Sequence, residues 1–143
     1  MTAKFSCQIG TTDPSVPLGM TIRFNGTEIF NSDHVQHTVD FAHEFPDTDG
    51  DHLLEFIMKN KTSEHTQLDA AGEIIQDACL TIKEFALEDI NLDYNFTEYT
   101  VYEHDFNGAG PAIKDRFFGV MGCNGRVSLA FNSPVYLWLL EHI

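Results

Sequence analysis

The feature that most constrains this chain is the alternation of apolar and polar residues over long stretches. From Val35 to Phe45, the residues Val35, His37, Val39, Phe41, His43 and Phe45 share one parity, while Gln36, Thr38, Asp40 and Glu44 share the other. Successive strand side chains point to opposite faces, so the pattern predicts one long, half-buried strand. The same period runs through Leu54, Phe56 and Met58, through Phe96, Thr100, Tyr102, His104 and Phe106, and through Val127, Leu129 and Phe131.

Turn signals separate these runs. Asn25-Gly26 lies between Met20–Phe24 and Thr27–Phe30, and Asn124-Gly125 lies between Arg116–Cys123 and Arg126–Phe131. Asn-Gly tolerates the positive φ angles of a tight type I′ turn, so each pair predicts a β-hairpin. A polar turn over Pro46–Asp51 predicts a third hairpin, and Thr11–Pro17 reads as a rigid loop joining the first strand to the first hairpin. Short strands with turns at this spacing predict an all-β, antiparallel β-sandwich of jelly-roll-like form. At 143 residues the chain is expected to be one domain, 1–143, with material for a single core.

Two segments carry a second reading. In Ala70–Ile90, the residues Ile74, Ile75, Ala78, Cys79, Ile82, Phe85 and Ala86 fit one face of a helix, but Leu80 and Leu87 fall off it. Strands over Cys79–Ile82 and Phe85–Leu87 suit the surrounding pattern better. At the end of the chain, Ser133-Pro134 resembles a helix cap and first-turn proline ahead of a short helix from Val135 to His142, although a final strand also fits Val135–Trp138.

The charge narrows the partners. With 8 Lys and Arg against 22 Asp and Glu, the formal charge is −14, and the cations form no stripe. Nucleic acids and anionic membranes are therefore not expected partners; cations, sugars and proteins are compatible with that charge. Three unpaired cysteines, Cys7, Cys79 and Cys123, offer no disulfide framework. With no apolar leader at Met1–Phe5, they are consistent with a reducing compartment. The N-x-T sequons at Asn25, Asn60 and Asn95 are then accidental.

Several clusters bear on chemistry. Asp47, Asp49 and Asp51 pack carboxylates into one turn and are the candidate calcium ligands. They depart from the EF-hand pattern, since counting from Asp47 puts Gly50 at position 4 and Met58 at position 12. His37 and His43 would lie about 20 Å apart along a strand and cannot share an ion. Glu103 and Asp105 would share a strand face, with His104 on the other. No nucleophile elbow, P-loop or H-E-x-x-H motif occurs, so catalysis is not expected. The aromatic candidates for stacking on a sugar are Tyr94, Tyr99, Tyr102 and Trp138, with Tyr136 a further tyrosine of that kind.

Two resemblances follow. Leu54–Thr62, Asp77–Leu92 and the closing Phe131–Glu141 resemble small proteins of unassigned role in tailed phages of marine cyanobacteria. That resemblance implies a non-enzymatic structural protein located in the virion and contacting other virion proteins or a glycan. The segment Leu18–Phe30, with Met20, Ile22, Phe24 and Asn25-Gly26, and the segment Leu80–Ile90 resemble calcium-dependent carbohydrate-binding modules of the xylan-binding kind. That second resemblance implies a jelly-roll sandwich, a glycan ligand and calcium as cofactor. A small enzyme on a β scaffold is the third expectation, and it requires His37, His43, Glu103, His104 and Asp105 to converge.

Overall fold

The computed structural model describes residues 1–62, 64 and 66–142, excepting the side chains of residues 66, 67, 75 and 76. In chain order the first strands are β1 (Thr2–Thr11), β2 (Gly19–Phe24), β3 (Thr27–Ser32), β4 (Val39–Pro46) and β5 (Gly50–Lys59). Next come β6 (Thr66–Leu68), β7 (Ile74–Asp77), β8 (Leu80–Leu87) and β9 (Ile90–Asn91). Helix α1 (Asp93–Tyr99) precedes β10 (Thr100–His104), β11 (Ile113–Arg116), β12 (Val120–Met121) and β13 (Gly125–Ser133), and α2 (Val135–His142) closes the fold.

The first sheet runs β12-β8-β1-β4, with β9 folded back on β8, and the second runs β11-β10-β13-β5-β2-β3. Every pairing in the two sheets is antiparallel. Phe5, Ile9, Leu80, Ile82, Phe85 and Leu87 from the first sheet share one core with Met20, Ile22, Leu54, Phe56, Met58, Val127 and Leu129 from the second. This is the β-sandwich that alternation predicts. A separate two-stranded ribbon, β6-β7, extends from it.

The Asn25-Gly26 hairpin forms as expected: Phe24 pairs with Thr27, and φ is 52° at Asn25 and 82° at Gly26. The other two hairpins do not form. β4 belongs to the first sheet and β5 to the second, so Pro46–Gly50 crosses between layers. Asn124-Gly125 likewise links β12 in the first sheet to β13 in the second. Turn chemistry states that the chain reverses there; it does not state which sheet receives the next strand.

Three further differences have local causes. The strand expected over Val35–Phe45 begins only at Val39, because Val35 leaves the ladder and donates its amide to the Leu18 carbonyl at 2.8 Å. The strand expected to start near Phe96 starts at Thr100, its first part being α1, which turns Phe96 into the core to stack on Phe85 at 4.3 Å. Ala70–Ile90 is strand, not helix, but Glu84 at φ 53° makes a bulge opposite Cys7. That extra residue moves burial from Leu80 and Ile82 to Phe85 and Leu87, which explains why neither a helical nor a strict two-residue period fitted. The Ile75 side chain, assigned to the alternative helical face, lies outside the described residues.

Candidate functional site

A cleft of about 450 Å³ opens where the ends of β5 and β13 meet α2 and the β2–β3 turn. β5 and β13 run side by side at its floor: Asp51 is paired with Asn132, His52 with Phe131, and Leu53 with Ala130, the middle pair on the opposite sheet face from the other two. The turn is tied in by two reciprocal bonds, Asn25 N–H to the Leu53 carbonyl at 2.9 Å and Leu53 N–H to Asn25 Oδ1 at 2.8 Å. These leave Asn25 Nδ2 to donate to His52 Nδ1 at 3.0 Å. His52 therefore carries its proton on Nε2 and donates it to Ser133 Oγ at 2.8 Å.

The His52 ring is further boxed in by Phe24, Phe45 and Phe131, each with centroids 5.2 Å away. Burial lowers its pKa, an effect partly offset by the nearby carboxylates of Asp47 and Asp51. It is a neutral, fixed wall of the cleft.

The opposite wall comes from α2. Trp138 is 4% exposed and stacks on His142, with centroids 4.3 Å apart and planes at 16°. His142 Nδ1 donates to the Trp138 carbonyl at 2.7 Å, and Tyr99 meets both rings edge-on. The indole N–H has no hydrogen-bond partner among the described residues, and no enclosed side-chain nitrogen or oxygen there lacks one. The N–H therefore touches solvent. Asp51 and Asn132 are exposed, and their side chains make no hydrogen bond among the described residues. Asp51, Asn132 and Trp138 thus bring a carboxylate, an amide and an indole to the lining of the cleft.

The expected site residues scatter. Asp51 lines this cleft, but Asp47 caps the start of α2, its Oδ1 accepting the Val135 amide at 3.0 Å. The sequence predicts Ser133 in that role, but its hydroxyl is engaged with His52. Asp49 is exposed in the crossing segment. Among the described residues no group of three His, Cys, Asp or Glu side chains could hold a metal ion. Asp13, Asp69, Asp93 and Asp105, like Asp47, accept backbone N–H groups on their carboxylate oxygens. At the acidic turn Asp47 Oδ1 is committed to the Val135 amide, while the Asp49 and Asp51 side chains are exposed.

Of the aromatic candidates, Tyr94 is 78% exposed on α1, away from the cleft lining. Tyr102 is buried, its hydroxyl accepting the Cys123 amide at 2.9 Å and donating to the Cys123 carbonyl, so it cannot serve as a sugar platform. Tyr99 supports Trp138 from the side, and His142 covers one indole face, so Trp138 offers the cleft an edge in place of an open stacking face. The expected catalytic group does not assemble either. His43 packs on Phe5 and Phe24, Glu103 pairs with Arg126, His104 lies against Tyr102 and Phe106, and Asp105 accepts the Gly108 amide. His37 lies exposed in the segment before β4.

Asn25, His52, Asn132 and His142 had not been singled out as site residues. Their proximity depends on β5–β13 pairing and on α2 docking, and no sequence motif encodes either.

No family model matches the sequence, and no curated protein matches it significantly. Among solved structures the chain is similar to a selenomethionine form of vCBM60, from work on a circular permutation linking two families of calcium-dependent carbohydrate-binding modules. That likeness has 8% identity, covers 91% of both chains and has a TM-score of 0.55. It is also similar to vCBM60 in complex with galactobiose, at 11% identity over 88% of this chain and 96% of that one, with a TM-score of 0.47. At such identity the first likeness establishes a shared sandwich fold.

Proposed function

We propose that this chain is a non-catalytic glycan-binding module whose ligand lies in the cleft between β5, β13 and α2. The observation that carries the reading is the trio of unengaged polar groups there: the Asp51 carboxylate, the Asn132 amide and the Trp138 indole N–H. Sugar recognition needs both donors and acceptors held near apolar ring surface, and an unmet polar group is costly to leave in a closed complex. His52 and Asn25 lock the β5 side of this arrangement before any ligand arrives, which reduces the ordering cost of binding. The likeness in fold to a carbohydrate-binding module supports the same reading.

Binding on this account runs through protein groups and not through a cation at the acidic turn. The test is calorimetric titration with neutral oligosaccharides, with calcium and with chelator. Binding of equal strength in both buffers, weakened at least about tenfold in a D51A/N132A double variant, is expected from the loss of two polar contacts. Loss of all binding in chelator would transfer the site to a calcium centre elsewhere. The virion role implied by the phage resemblance has no observation in the fold that favours it.

A further inference from the structure

The electrostatics of the cleft go further than its shape. Among the described residues Asp51 is the only carboxylate in its lining, which contains no Lys or Arg. Asp47, outside the lining, stands close enough to act on His52 together with Asp51. The whole chain carries −14. The other titratable groups at the cleft are imidazoles. His52 is held neutral by its two hydrogen bonds and by burial, and His142 lies on the Trp138 side.

A second observation concerns the Trp138 wall. Trp138 is more than nine-tenths buried, lines the cleft and keeps an indole N–H without a partner among the described residues.

We infer that the cleft selects an amino sugar, an oligosaccharide of 2-amino-2-deoxyhexose units whose protonated amine pairs with Asp51, and that it discriminates against uronic acids and sulfated sugars. This inference rests on the glycan-binding reading and adds the ligand class. The amine replaces a hydroxyl at the Asp51 end, where a carboxylate binds an ammonium more strongly than a neutral donor. The Trp138 N–H and the Asn132 amide bind ring or hydroxyl oxygens, as they would on a neutral sugar. An anionic sugar would meet Asp51 with no cation in the lining to offset the repulsion.

The test titrates four oligosaccharides of equal length in mildly acidic buffer, where the sugar amine is protonated and a uronate stays ionised. They are a chito-oligosaccharide with free amines, its fully N-acetylated counterpart, a neutral cello-oligosaccharide and an oligogalacturonate. The free-amine form is expected to bind about three- to fivefold more tightly than the N-acetylated one, the factor that an exposed ion pair supplies. The advantage should vanish in D51N and shrink in high salt, and the oligogalacturonate should bind weakest. Asp51 is exposed, so D51N should keep the wild-type melting temperature, and that control accompanies the titration. Equal or tighter binding of the N-acetylated form, or a preference that persists in D51N, would overturn the inference and leave the glycan-binding reading intact. Failure of all four sugars to bind would overturn both.

Discussion

The chain contains Asn-Gly twice in a setting that reads as a hairpin turn, and the two copies do different things. At Asn25-Gly26 both residues take positive φ and the flanking strands pair, giving the expected two-residue turn. At Asn124-Gly125 neither residue has positive φ, and the chain passes from one sheet to the other. Asn124 acts there as a clamp: its Oδ1 accepts the Lys61 amide at 2.9 Å and its Nδ2 donates to the Lys61 carbonyl at 2.8 Å. Its own amide donates to Asn107 Oδ1 at 2.7 Å, while the Tyr102 hydroxyl holds both backbone groups of Cys123. Below the clamp, the Lys61 side chain is 1% exposed, paired with Asp77 and bonded to the Gly122 carbonyl at 2.5 Å. The glycine is required for a different reason as well. At Gly26 it supplies backbone freedom, and at Gly125 it supplies room, since a Cβ there would stand 2.4 Å from the Glu103 carbonyl oxygen.

This contrast breaks most sharply under substitution. Gly125→Ala should cost about 3 kcal/mol or more, because the obstructing atom is backbone of the neighbouring strand and cannot rotate away. Denaturant unfolding would measure it, and a near-neutral result would remove the close-approach argument. Asn124→Ala should cost about 2 kcal/mol by leaving the Lys61 N–H and carbonyl without their partners. Gly26→Ala should cost only about 1 kcal/mol, since nothing lies within 4 Å of the added methyl and only the positive φ opposes it. A reversal of the Gly125 and Gly26 effects would show that both sites are ordinary turns.

The smallest expected difference is in pH response. Near Asn25-Gly26, His43 and His52 both pack on Phe24, and burial lowers both pKa values from 6.5. The unfolded chain then binds protons more readily than the folded one, so stability present above pH 6.5 is lost as pH falls below it. At the Asn124 end the shift has the opposite sense. Burial pushes Cys79 up from 9.0 to about 11 and raises Cys123 and Tyr102, so the unfolded chain releases protons first and stability declines as pH rises above 9. Melting temperatures across acid and alkaline series should fall on both sides. Hydrogen exchange should locate the acid loss around β2, β4 and β5 and the alkaline loss around β12, β10 and, through the buried Cys7 thiol, β1. Losses spread evenly over the sandwich would contradict this division.

The same contrast marks what could be read in the sequence. Alternation revealed Leu54, Phe56 and Met58 and Val127, Leu129 and Phe131 as inward faces, because side-chain parity is local. It overran at Val35, where a loop residue happens to be apolar and buried, and it missed the parity change made by the Glu84 bulge. Sheet membership is non-local, so two of the three turns that read as hairpins link different sheets. The cleft was half legible. Asp51 and Trp138 stood among the candidates for reasons of residue type, but the partners that complete the site come from three other places along the chain. The acidic turn suggested calcium by composition alone, and backbone capping by Asp47 divides that group.

The most direct measurement of the cleft's role uses the chain's single tryptophan, which gives one indole N–H signal in the spectrum of isotope-labelled protein. Titrating an oligosaccharide should move that signal together with the Asn132 side-chain amide and the backbone amides of Asp51 and Leu53, in the presence of chelator as in its absence. Saturable binding that leaves the Trp138 signal unmoved and shifts residues of the first sheet, or the crossing segment around Asp49, would contradict the account.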